Sequence, residues 1–192
     1  MTRKPRSDAR ARILDAALAV SQQVGAAHLT LDAVAAEAGV SKGGLLYHFA
    51  SKDALLRAMV EHHLDEHRTT LKAAIAEQPA TPGGYLQALV QAHRAERKEG
   101  LHEPHATRSF IAAAVNTPEL MEEPRRFSGE QIDQLRRLGP RFPEAMMVML
   151  AFDGLFFGET FEMLALTPSE REAVVQAIAD RAAAIAAAAD GA

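Results

Sequence analysis

The stretch TLDAVAAEAGVSKGGLLYHFASKDALL, Thr30 to Leu56, spells a short helix, a glycine turn, a second short helix and the start of a third. Thr30 is placed to N-cap the first helix, whose inward positions are Leu31, Val34, Ala35 and Ala38. Gly39 falls where the chain must leave that helix with positive φ, and Val40 plugs the corner. Ser41 can cap the next helix, which buries Leu45 and Phe49 against the first while Lys42, Gly43, Gly44, Tyr47 and His48 face out. Ala35 is small where the two helices must cross closely. The layout is a helix-turn-helix, a corner that offers its second helix to a DNA groove.

Working outward, ARARILDAALAVSQQVGAAHLT precedes this corner and SKDALLRAM ends it, so that residues 9 to 59 resemble the DNA-binding domain of TetR-family, tetracycline-repressor-like regulators. The resemblance covers about a quarter of the chain. It rests on the Ile13, Leu14, Ala17 and Leu18 face of a first helix, the Gly25 stop, the Thr30 start, the Ala35/Gly39 pair, the SKGGLLYHF recognition segment and Ser51-Lys52-Asp53 opening a fourth helix. Tyr47, His48 and Phe49 match residue by residue, whereas Leu46 stands where many relatives carry an aromatic. The resemblance implies a C-terminal body that binds a small effector and a subunit interface made by the last two helices of each chain.

The overall charge of −4 argues against a nucleic-acid binder until it is divided along the chain. Residues 1 to 57 hold eight Lys/Arg and five Asp/Glu, whereas 58 to 192 hold thirteen and twenty, so the first segment is net +3 and the rest net −7. Within the first twelve residues Arg3, Lys4, Arg6, Arg10 and Arg12 face only Asp8, giving a cationic arm that can neutralise phosphates and release counterions. A solvated tail would read the same. No cysteine is present, which excludes disulfides, thiolate nucleophiles and cysteine-held metals. No window approaches ~20 uninterrupted apolar residues, and no apolar run follows the basic start. Neither a membrane span nor a signal peptide is expected, and the expected compartment is the cytoplasm.

The remaining sequence reads as helix broken by Pro and Gly, so the predicted class is all-α: an N-terminal three-helix head, residues 1–50 with the basic arm, joined by a long helix to a helical body, residues 51–192. The first three helices are predicted over about 8–24, 31–38 and 42–49. The fourth, from Lys52 to about Glu77, would extend about 39 Å. Pro79, Pro82, Gly83 and Gly84 are read as its end, with later breaks at Gly100, Pro104, Pro118, Pro124, Gly139-Pro140 and Pro143. From Glu144 to Ala165 the chain is apolar on most sides, and Thr167-Pro168-Ser169-Glu170 spells a capping box before an alanine-rich helix to about Ala189.

Three sites follow from these patterns. DNA contacts are assigned to Arg3, Lys4, Arg6, Thr30, Ser41, Lys42, Gly43, Gly44, Tyr47, His48 and Lys52: Lys42 to a guanine edge, the glycines for close backbone approach, Tyr47 and His48 to phosphates, and Thr30, Ser41 and Lys52 to phosphates at helix N-termini. A dimer interface is assigned to Ala151, Gly154 and Gly158 with Ile178, Ala182 and Ile185, although small residues at that spacing also serve tight packing within one body. Phe110, Met146, Met149, Phe152, Asp153 and Phe156 can wall an effector cavity, or form solid core. Asp153, Glu159 and Glu162 could balance a cationic ligand.

Histidines cluster at His62, His63 and His67 beside Glu66, and again at His102 and His105 beside Glu103. His63 and His67 stand four apart and could share a metal, but no third ligand is fixed, and a solvated helix face explains them better. Glu99 and His102 form a single ExxH where a di-iron bundle needs two. No nucleophile elbow, phosphate loop or HExxH is present, so no catalytic residue, metal or cofactor is assigned. The resulting expectation is a homodimeric repressor whose partners are a pseudo-palindromic double-stranded operator and a small hydrophobic effector, with no membrane partner. The alternatives are an all-helical metal-binding enzyme built on the His/Glu clusters, and a DNA binder without an effector.

Overall fold

The computed structural model describes the backbone of residues 6–26, 28–98, 108, 111, 114 and 117–191. Arg3, Lys4, the side chain of Arg6, Phe110, and the Glu99, His102, Glu103 and His105 groups lie outside the described residues. Those that are described form eight α-helices and two 3-10 turns, with no strand among them. They divide into two compact units, residues 1–64 with 104–124 and residues 65–103 with 125–192.

The first unit is built by local signals. Helix α1 (Arg6–Val24) buries Ile13, Leu14, Ala16, Ala17 and Val20, and stops at Gly25, whose φ is +83°. Thr30 caps α2 (Leu31–Glu37) by accepting the Ala33 N–H at 3.2 Å. The end of α2 closes in a Schellman motif: Gly39 N–H donates to the Ala36 carbonyl and Val40 N–H to that of Ala35, which the +63° φ of Gly39 permits. Ser41 Oγ accepts the Gly44 N–H at 3.1 Å to cap α3 (Lys42–His48), and Ser51 does the same from Ala54 for α4 (Lys52–Ala76). Leu45 is fully buried and Phe49 nearly so, with the Arg10 guanidinium 5.1 Å from the Phe49 ring. Leu55, Leu56 and Met59 of α4 join this core. So do Ala114 and, from a 3-10 turn over Pro118–Met121, Leu120, which no local signal tied to this unit.

The second unit holds the later part of α4, with Leu71 and Ala74 in its core, and α5 (Pro82–Lys98), α6 (Glu122–Arg136), α7 (Phe142–Thr160) and α8 (Pro168–Asp190). Pro82, Gly83 and Gly84 were expected to end α4; they open α5 instead. Thr81 Oγ1 accepts the Gly84 N–H at 3.0 Å and donates to Asp190 Oδ2 at 2.7 Å, so the start of α5 is tied to the end of α8. A Cβ on Gly84 would collide with the Pro79 carbonyl oxygen, and this close approach is what requires glycine there. Pro124, likewise expected as a break, sits in the first turn of α6, where its missing N–H costs nothing.

Helix α7 ends five residues before the expected Ala165. Met163 and Leu164 N–H both turn back to the Gly158 carbonyl, with Glu162 in the left-handed region at φ +55°. The capping box of α8 forms as expected, with Thr167 Oγ1 accepting the Glu170 N–H and Glu170 accepting the Thr167 N–H. The alanine-rich end is helical to Asp190, because Ala182, Ile185 and Ala186 are buried against the body.

Candidate nucleic-acid interface

Helix α3 is held by one buried side chain, Leu45, and by caps at both ends, with Gly44 and His48 half-buried rather than facing fully out. Lys42, Gly43 and Tyr47 are exposed, Tyr47 to 70%, and the Tyr47 ring meets His48 edge-on at 5.2 Å. Neither φ nor space within the chain requires glycine at Gly43, since a Cβ there meets nothing within 4 Å. In the first turn, where Gly43 stands, a glycine still costs backbone entropy against alanine, by less than the roughly 1 kcal/mol of a helix interior. Without a side chain there, the outer surface of α3 is flat at that step. Gly44 is different: a Cβ would press on Ser41 Oγ at 3.3 Å, against the cap itself. Thr30 and Ser41 use their oxygens as caps, so each hydroxyl can still donate outward, and Lys52 opens α4 nearby in sequence. Sequence reasoning missed the partner of Lys42, whose Nζ lies 3.0 Å from Asp32 Oδ2 on α2.

In the second unit the expected effector residues separate by face. Phe152 is core, its ring stacked 4.7 Å from His93 of α5. Met146 and Met149 are half-buried against that core, and Phe156 meets Phe157 edge-on. Burial pushes the half-buried Asp153 carboxyl up from its ordinary value, and the charge of His93 pulls it partly back. A described cleft of about 450 Å³ lies elsewhere, between α5 and α8, where Gln78, Gln87, Gln91 and Arg94 surround Val90 and Ala182.

The small-residue stripe separates too. Ala182 and Ile185 are spent on the body's own core, Ile178 is half-buried, and Gly158 lies beneath Leu164, which a Cβ would strike. Gly154 is exposed with open space around it, beside half-buried Ala151. Met147, Leu150, Phe157 and Phe161 flank it in the exposed row 147, 150, 154, 157, 161, a 3-4 spacing of the kind that seams two helices. On α8, Val174, Ala177, Ala184 and Ala188 are exposed as well.

In the histidine cluster of α4, His62, His63 and Glu66 are half-exposed, and one member departs from a solvated face. His67 turns inward, its Nδ1 2.5 Å from Oε1 of the buried Glu96, a partner 29 residues away that no local pattern signals. Among the described residues no group of three or more His, Asp or Glu side chains could hold a metal ion. No helix among them is long and apolar enough to cross a membrane.

Comparison with known proteins agrees with this architecture. The sequence profile of the bacterial regulatory proteins of the tetR family matches residues 13–59, and that of the tetracyclin repressor-like C-terminal domain matches residues 83–183. The HTH-type transcriptional regulator BetI of Paraburkholderia phymatum is 38% identical over 85 residues, 44% of this chain and 43% of that protein. The regulator TtgR of Pseudomonas putida is 29% identical over 89 residues, 46% of this chain and 42% of that one. The chain therefore spans less than half the length of these curated relatives. Among solved structures, a transcriptional regulator from Pseudomonas aeruginosa PAO1 has a TM-score of 0.68 at 23% identity, over 93% of this chain and 90% of that one. The multidrug binding protein EbrR, complexed with imidazole, has a TM-score of 0.63 at 24% identity, over 90% and 88%. One family profile fits the helix-turn-helix and a second fits more than half of the chain, so the chain belongs to the TetR family of bacterial regulatory proteins.

Proposed function

We propose that the protein is a homodimeric repressor that binds a short pseudo-palindromic operator in the cytoplasm and leaves it when a small hydrophobic effector enters the body. The observation that carries this reading is the surface of α3: a rigidly capped helix that turns Lys42, a flat glycine step and Tyr47 outward. Residues 1–50, with the basic arm, serve the DNA, and 51–192 serve the effector and the second subunit. Lys42 reads a base edge, while Tyr47, His48, Thr30, Ser41 and Lys52 hold phosphates. Two half-sites need a two-fold axis, and the exposed apolar row of α7 around Gly154 is the surface suited to make it. Effector binding is supported by the family's C-terminal domain and by the imidazole complex of EbrR. Helix α4 carries the signal, because it runs unbroken from one compact unit into the other. An effector lowers operator affinity only by its preference for the non-binding arrangement.

The experiment is to recover duplex fragments retained by the purified chain, and then to screen small molecules for thermal stabilisation and operator release together. A true effector raises the melting temperature and weakens DNA binding over one concentration range. Failure to retain any fragment preferentially sinks the repressor. The burial of Phe152 against His93 favours one second reading, a DNA binder with a solid body. Selective DNA binding with no stabilising compound would establish that one instead.

A further inference from the structure

Lys42 was assigned above to a guanine edge by itself, yet its ammonium is not by itself. Asp32, in the first turn of α2, holds Lys42 Nζ at 3.0 Å, and both side chains remain largely open to solvent. An exposed pair of this kind adds little to stability. What it does fix is the direction of two side chains from two helices that the Schellman turn already locks together. The pair presents, side by side on the DNA-facing corner, a donor with two N–H groups to spare and an acceptor with lone pairs to spare.

We propose that Asp32 and Lys42 act together to read one G·C base pair in each half-site, Lys42 donating to guanine O6/N7 while Asp32 accepts from cytosine N4. The proposal rests on the operator-reading role of α3. In the major groove guanine offers acceptors at N7 and O6, and its cytosine offers the N4 amino group. O6 and N4 are bonded to each other across the pair, about 2.9 Å apart. The 3.0 Å separation of Lys42 Nζ and Asp32 Oδ2 matches that spacing. At an A·T pair the order reverses: the ammonium would meet the adenine N6 donor, and the carboxylate would meet the thymine O4 acceptor. A C·G pair, with its strands exchanged, sets the ammonium against N4. A·T and C·G therefore set like groups against each other, whereas T·A keeps the acceptor–donor order and differs by presenting the thymine methyl group where guanine N7 would accept a second bond from Lys42, so specificity comes as much from those mismatches as from the match.

The charge follows the same logic. A lone lysine would add a phosphate-seeking cation that favours all sequences alike. Pairing with Asp32 cancels that attraction, so the corner gains little from random DNA. Gly43, whose missing side chain nothing in the chain explains, keeps the helix surface low enough for both groups to reach the base edge.

The test is selection from a randomised duplex pool by the full-length wild type and by Asp32→Ala, Asp32→Asn and Lys42→Ala. Wild-type fragments should share a G·C pair at one position in each half-site. Asp32→Ala should lose that preference by about tenfold and keep the rest of the half-site. It should also bind random duplex about threefold more tightly, with a salt slope steeper by about 1, because an unpaired ammonium now counts as a phosphate contact. Asp32→Asn keeps a polar group at the start of α2 and removes the charge, so it should show the same steeper slope with an unchanged melting temperature. Lys42→Ala should relax the same base pair. If both Asp32 variants keep the wild-type preference at that pair and the wild-type slope, the paired reading is wrong while the operator reading stands. If the wild type itself selects no sequence, both fall.

Discussion

Helix α3 buries one of its seven residues and turns lysine, glycine and tyrosine to water, whereas α7 is apolar on nearly every side and still leaves Met147, Leu150 and Phe157 outside. Each carries a local cost that the chain does not offset within itself. In α3 it is the helix-weakening Gly43 in the first turn, at less than about 1 kcal/mol. In α7 it is apolar surface left in water, at about 25 cal/mol per Å². The difference between the two costs describes the partners. A flat polar surface beside a cation suits a groove lined with bases and phosphates; an apolar row at 3-4 spacing suits a second helix.

The largest effect should come from the single anchor of α3. Leu45→Ala removes a fully buried side chain and should destabilise the head by about 2–5 kcal/mol, abolishing DNA binding. Leu150→Ala removes a side chain 60% exposed in the single chain and should leave monomer stability almost unchanged. Chemical denaturation of the two variants at a protein concentration low enough to keep them monomeric checks the contrast, and equal losses there would mean that the single chain itself covers Leu150.

Next comes the interface. Gly154 has open space about it within the chain, so Gly154→Leu should not strain a monomer; it should overfill a close crossing of two copies, at about 1–3 kcal/mol. Light scattering should find monomer. A Gly154→Leu dimer of undiminished affinity would move the interface off this row. Gly158→Leu is the poorer probe, because its collision with Leu164 would damage the chain's own turn first.

DNA contacts follow. Tyr47→Ala should weaken operator binding by about 1–3 kcal/mol with helical circular dichroism and dimer mass unchanged, and Lys52→Ala should weaken all sequences alike and flatten the salt slope. Unaltered gel-shift binding by the Tyr47 variant would detach the recognition surface from α3.

How far the sequence could be read differs between these helices for a physical reason. The signals that shape the helix-turn-helix act within a few residues: Thr30 on Ala33, Ser41 on Gly44, Gly39 on the turn behind it. Those positions could be assigned without knowing what lay elsewhere. Helix α7 has no such directional code, since a helix apolar all round does not declare which side meets α5 or α8. Hence Phe152 reads equally as cavity wall or core until His93 is seen stacked upon it, and Ala182 and Ile185 read as a surface stripe although they line the interior. The proline-glycine run at 82–84 misled similarly. Composition marks it as a stop, but its purpose is the close tie to Asp190, more than a hundred residues away. The Asp32–Lys42 pair crosses ten residues and two helices, and only their relative placement reveals it.

The smallest expected effect distinguishes two sides of α7 itself. Asp153 neighbours the exposed Gly154 in sequence but is half-buried, and burial raises its carboxyl above the ordinary value even after the opposing pull of His93. A carboxyl raised in the folded state binds its proton more tightly there than in the unfolded chain, so the stabilisation it gives is present below the unfolded value and is lost as pH rises through the folded one. Asp153→Asn removes the buried charge, and should therefore melt above wild type at neutral pH, with the gap closing as the solution is acidified toward the ordinary aspartate range. Glu170 supplies the opposite sign. The Thr167 N–H and hydroxyl lower its carboxyl, so its contribution is present at neutral pH and fades as pH falls through the folded value. Glu170→Gln should melt below wild type at pH 7 and converge with it in acid. Melting curves of the two variants between pH 3 and 8 should thus depart from wild type in opposite directions. If Asp153→Asn melts below wild type at neutral pH, the His93 attraction outweighs burial, and that side of α7 holds a working ion pair where a strained carboxylate is now inferred.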